Sequence, residues 1–155
     1  MKRKLLRFFL SLIVVSALLT WFWFDGLQVR YALLFKPMAQ AAFRFFKIYR
    51  SGITLVIEHF TNLIPFIALS VSLPGVKIGK RLVRLFLGLI ILMAVHFFLI
   101  ISVSKIYSAY QLSATAYKYM FPLLIINDAL PLVLWFLFFS EDILKVFRPP
   151  KKAAI

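Results

Sequence analysis

In a chain of 155 residues, 63% are hydrophobic, only 15% are charged, and Phe alone occurs 18 times. A soluble domain of this size keeps much of its area in water and has nowhere to hide so much apolar surface, so the composition excludes one and requires an integral membrane protein. The absence of Cys excludes disulfides, thiolate metal sites and a cysteine nucleophile. The formal charge of +14 sits beside apolar runs, where topology and anionic headgroups place it, which argues for the bilayer as partner and against nucleic acid.

In chain order, a basic head (Lys2, Arg3, Lys4, Arg7) leads into an apolar run to Phe24. The run is longer than a signal-peptide core, and bulky "LLTWFWF" stands where a small-residue cleavage site belongs. An uncleaved first span over about 7–24 is expected, with Trp21 and Trp23 as anchors at its far end. At 100° per residue, Lys36, Gln40, Arg44, Lys47 and Arg50 then form one polar stripe on an otherwise apolar helix over about 30–50. Such a helix suits the membrane surface, with Lys36, Arg44 and Lys47 meeting headgroups or an acidic partner. An amphipathic helix packed on the protein's own spans has the same pattern. Pro37 falls in its first turns or divides it.

A second span over about 53–73 includes the β-branched "ITLVI", whose helical or extended state the pattern leaves open, and brings Glu58 and His59 to its entry. Pro65 is expected to kink it, and Pro74-Gly75 ends it. A short basic loop ("VKIGKRLVRL") leads to a third span over about 85–104 with His96. A tyrosine-rich connector precedes a fourth span over about 119–139, followed by a basic tail over 140–155. The fold class is therefore all-α: four transmembrane helices and a basic amphipathic interfacial helix, in one domain.

The head, the 75–84 loop and the tail carry four Lys or Arg each, so both termini are expected on the cytoplasmic side of a bacterial inner membrane. The 25–52 segment, despite five basic residues, falls on the opposite side.

The fourth span, "PLLIINDALPLVLWFLFF", carries Asn127 and Asp128 near its middle, where an unpaired charge is costly. Glu58, His59 and Asn62 on the second span and His96 on the third fall at a compatible depth, roughly 12–14 Å below the outer ends of the spans. His96, Asn127 and Asp128 are expected to line an outer-facing polar site, with Asn62, His59 and Glu58 at its rim. His96, His59 or Asn62 would be the partner of Asp128. The site would be structural interhelical contacts, a binding pocket, a hydrolytic centre without an identifiable nucleophile, or a metal site without recognised spacing. No complete catalytic or cofactor motif occurs, so an enzyme is not expected.

The block "TNLIPFIALSVSLPGVKIGKRLVRLFLGLIILMAVHFF", from Thr61 to Phe98, resembles the late transmembrane region of the exosortase/archaeosortase superfamily, membrane enzymes that process proteins bearing C-terminal sorting signals. The turn "LPGVKIGKRLVRL" and Gly88 carry the resemblance, with "AYQLSATAYKYMFPLLIINDALPLVLW" after it. The family's cysteine has no counterpart here. His96 stands near its Asn position, and no Arg follows three residues later, so no catalytic residue carries over. The chain is more similar to the small exosortase H-associated membrane proteins. That resemblance implies a non-catalytic accessory protein of an envelope protein-sorting or exopolysaccharide system, partnered by an exosortase-like enzyme. The alternative is a small proton-coupled transporter or lipid-linked flippase working as a homo-oligomer.

Overall fold

The computed structural model describes residues 2–147, and among them every regular element is helical. Helix α1 (Lys2–Phe22) runs through a π-helical turn (Trp23–Leu27) into α2 (Gln28–Leu34) and α3 (Lys36–Phe45). The second span is composite: α4 (Ile53–Val56), a 3-10 segment (Ile57–Asn62) and α5 (Leu63–Ser72). Two long helices follow, α6 (Ile78–Tyr110) and α7 (Ala114–Phe147). Four stretches, Arg3–Leu34, Ile53–Ser72, Ile78–Tyr110 and Ala114–Val146, are long and apolar enough to cross a membrane. The chain is a multi-pass helical membrane protein.

The surface and interior are distributed as lipid requires. Leu10, Ile13, Phe86, Phe98, Phe121 and Leu137 face outward, while Asn62, Ser70, Ser72, His96, Ser104 and Asn127 are buried. Inside a bilayer, apolar burial between helices gains little, so close packing and hydrogen bonds hold the bundle together. α1 packs along α5, α5 along α7, and α6 along α7. Gly88 of α6 is one point of closest approach, because the ring of Phe66 from α5 occupies the space a Cβ would need.

Several boundaries differ from those expected. The helices α6 and α7 extend beyond their apolar runs at both ends, and 1.5 Å per residue makes each about 50 Å long. Lys80, Arg81 and Arg84 therefore lie on the first turns of α6 rather than in a loop. The tyrosine-rich connector shrinks to Gln111–Ser113, with Gln111 at φ 54°, since nothing in "KIYSAY" breaks a helix. Residues 140–147 continue α7, and 148–155 of the expected tail lie outside the described residues. "ITLVI" is helical, not extended. Pro65 falls in the first turn of α5, where its missing N–H costs little, just where the 3-10 segment gives way to α-helix.

The expected 30–50 helix is two helices that bend at Phe35, with Pro37 in the first turn of α3. Before it, Asp25 and Gly26 (φ 104°) break regular helix geometry. α2 then packs on the 3-10 segment and α3 on α6. A narrow edge of Ala32, Phe35 and Ala39 is buried, and Lys36, Gln40, Arg44 and Lys47 stay exposed together with Met38 and Phe45. The segment thus packs on its own spans while presenting its basic stripe. Trp21 is exposed as an anchor would be, but Trp23 is buried against Tyr31 at a ring distance of 5.6 Å. The bend at Asp25-Gly26 turns Trp23 inward.

Lys4 and Arg7, the Pro74-Gly75 turn and Lys145 gather at one end of the bundle. The 25–52 segment meets α6 toward the other: Ser104 Oγ accepts from the Gly52 N–H at 2.8 Å, and Ser108 Oγ accepts from the Arg50 N–H at 3.0 Å.

Candidate functional site

The polar residues of three spans do converge, and a fourth element, α2, joins them. His96 is fully buried near the middle of α6, stacked on Phe60 at a ring distance of 4.6 Å. Its Nε2–H donates to Asn62 Oδ1 at 2.9 Å, and its Nδ1 accepts from the Tyr31 hydroxyl at 2.8 Å. The direction of these bonds follows from Asn62, whose amide nitrogen donates elsewhere, so that its oxygen is the acceptor facing His96. A neutral imidazole with its proton on Nε2 satisfies every group in this inner chain.

Asn62 Nδ2 donates to the backbone carbonyl of Asn127 at 2.8 Å. That carbonyl needs an outside donor. Its partner in a regular helix is the N–H four residues on, and residue 131 is a proline. Pro131 thus opens an acceptor in the middle of α7, and Asn62 fills it. Asn127 returns the contact, its Nδ2 donating to the His59 carbonyl at 3.2 Å. Two asparagines clasp the 3-10 segment to α7, each bonding a backbone carbonyl of the other element. Asn127 Oδ1 has no protein partner within the described residues.

The outer part of the site is different in character. His59 Nδ1–H donates to Asp128 Oδ2 at 2.9 Å, with Oδ1 at 3.1 Å. The side chains are 30% and 49% exposed, so this pair sits on the flank of the bundle. The pair opens into a cleft of about 320 Å³ lined by Glu58, His59, Thr61, Asn62, Pro65 and Asp128. The Glu58 carboxylate makes no hydrogen bond or ion pair among the described residues, and neither does His59 Nε2. Around the cleft, Phe121, Ile125 and Leu132 of α7 are exposed and apolar. A carboxylate-rich cleft therefore opens sideways beside exposed apolar residues, near the middle of α7.

All six residues expected in the site are brought together, but their places are partly exchanged. His59, not His96, is the partner of Asp128. His96, Asn62 and Asn127 form the buried interior, and Glu58, His59 and Asp128 form the opening. Among the described residues no three His, Asp or Glu side chains converge to hold a metal ion, and His96 is committed to Tyr31 and Asn62. Lys36, Arg44 and Lys47 lie apart, on the exposed stripe of the 25–52 segment.

Sequence reasoning missed Tyr31, because a lone tyrosine in an apolar stretch carries no signal of its partner. It also missed the role of Pro131, although Asn-x-x-x-Pro inside a span is readable as an acceptor in need of a donor. No family model, curated protein or solved structure matches the chain.

Proposed function

We propose that the protein is a non-catalytic, partner-binding subunit of a bacterial inner-membrane assembly, with both termini cytoplasmic. The observation that carries this reading is the His59–Asp128 pair, open on the flank of the bundle between apolar residues. A half-exposed carboxylate and imidazole are costly against lipid and become favourable when another transmembrane segment covers them. The cleft offers acceptors: the Asp128 and Glu58 carboxylates and His59 Nε2. A partner helix that supplies a hydrogen-bond donor or a cation answers that chemistry.

The kind of assembly follows from the resemblance of Thr61–Phe98 to the exosortase superfamily. An envelope protein-sorting or exopolysaccharide system, with an exosortase-like enzyme as the partner, is the proposed setting. The catalytic cysteine and arginine of such an enzyme would come from the partner, since this chain has no Cys.

A proton-coupled carrier fits less well. The polar chain from Tyr31 to Asp128 passes through the amides of Asn62 and Asn127, and an amide neither takes up nor releases a proton readily. Affinity purification of the tagged chain from its host membrane in mild detergent tests the proposal. A stoichiometric second membrane protein supports it, whereas a homo-oligomer alone in a functional preparation opposes it and favours the carrier.

A further inference from the structure

The end of the bundle that gathers Lys4, Arg7 and Lys145 carries a second site, unconnected with the flank cleft. Its basic residues divide by what they hold. Arg84 Nη1 donates to Asp142 Oδ2 at 2.5 Å, and both side chains are largely buried. Lys80 lies 3.8 Å from the same carboxylate and 3.9 Å from Glu141. Arg81 Nη2 donates to the carbonyl of Leu73 at 2.6 Å, closing the C-terminal end of α5. These cations are engaged in holding α5, α6 and α7 together.

Lys4 and Arg7 are not so engaged. They stand one turn apart on α1, exposed, and make no ion pair among the described residues. With Lys145, whose Nζ is 3.7 Å from Asp142 and whose side chain is 71% exposed, they line a cleft of about 360 Å³. Its other walls are Pro74, Gly75, Asp142 and Val146. The only carboxylate there among the described residues, Asp142, already has Arg84. Three cations from two helices thus surround a hollow at the end of the apolar spans, where headgroups lie.

We infer that this cleft binds the phosphate of an anionic phospholipid headgroup, with Lys4, Arg7 and Lys145 as its ligands. The cations match a phosphodiester, which stays charged at neutral pH. The lipid's chains would lie along the exposed apolar side of α1, where Leu6, Leu10 and Ile13 face outward. Basic pockets between transmembrane helices recognise headgroups in this way, and each Lys or Arg near an anionic headgroup strengthens binding by about 1 kcal/mol.

The test uses the full chain in a neutral detergent, with melting temperature followed as phosphatidylglycerol is titrated in. Phosphatidylcholine and inorganic phosphate serve as parallel titrants. The expected result is a saturable rise in melting temperature with phosphatidylglycerol alone. In Lys4→Ala/Arg7→Ala the half-point should move to higher lipid by a factor on the order of 30, from the loss of two such contacts. The variant Lys118→Ala, altered only at the exposed start of α7 at the far end of the bundle, should titrate like the parent. No rise in the parent overturns the inference, and so does an equal rise with phosphatidylcholine. A half-point unchanged in Lys4→Ala/Arg7→Ala places the lipid elsewhere, and an equal response to inorganic phosphate makes the ligand a free anion rather than a lipid.

Discussion

The imidazole of His59 and the carboxylate of Asp128, 69 residues apart in sequence, meet at 2.9 Å on the flank of the bundle. One belongs to a 3-10 segment and the other to the middle of α7. They are joined to the interior through Asn127, whose Nδ2 lies 3.3 Å from Asp128 Oδ1. An open hydrogen-bonded pair backed by a closed polar network separates two tasks: the network holds the helices, and the pair faces whatever lies beside them.

Asp128→Asn is expected to leave the fold intact. The pair is half-exposed, and such contacts contribute little to stability, so unfolding free energy in detergent should stay within about 1 kcal/mol of the parent. Recovery of a co-purifying membrane partner should fall severalfold. A large loss of stability would assign Asp128 to the structural network instead.

His96→Leu should behave in the opposite way. It strands the buried Asn62 Oδ1 and leaves the partly buried Tyr31 hydroxyl without its partner, at a cost of about 1–3 kcal/mol. Tyr31→Phe removes one bond and should cost less, about 1 kcal/mol. Because both act on one chain, the double variant should be less destabilised than the sum, as a double-mutant cycle by denaturant titration would show.

The clasp makes a sharper prediction. Asn62→Leu leaves the Asn127 carbonyl without a donor and should cost about 1–2 kcal/mol. In a Pro131→Ala background the restored N–H satisfies that carbonyl within α7, and the same Asn62→Leu change should cost less. Equal costs in both backgrounds would mean that the proline does not create the need for Asn62.

Gly88→Ala places a methyl where the Phe66 ring lies, and overpacking of this kind costs about 1–3 kcal/mol. Phe66→Leu in the same chain should recover part of the loss, read as a melting temperature between those of parent and Gly88→Ala.

Composition and apolar run length made the four spans legible, because no other environment accepts a chain this greasy. That Asn62, His96, Asn127 and Asp128 fall at one level of the bundle was legible too, since rise per residue sets it. Pairing was not. Whether Asp128 meets His59 or His96 depends on helix rotation, and the 3-10 winding of Ile57–Asn62 alters the angle at which each side chain leaves the second span. Helix ends were misjudged for a related reason: Lys80 and Arg84 read as loop residues until Asp142 of α7 is placed beside them. The bend at Asp25-Gly26 carried a signal in its glycine, but the inward turn of Trp23 and Tyr31 depends on what α2 packs against.

The flank around His59 and Asp128 is proposed to be covered by another membrane protein. Photo-crosslinking in the host membrane from a reactive residue placed at Thr61, on the cleft, compared with one at Leu18, on the exposed side of α1, tests it most directly. A discrete protein adduct is expected from position 61, lost on Asp128→Asn, and no such adduct from position 18. Lipid adducts alone from both positions would contradict it.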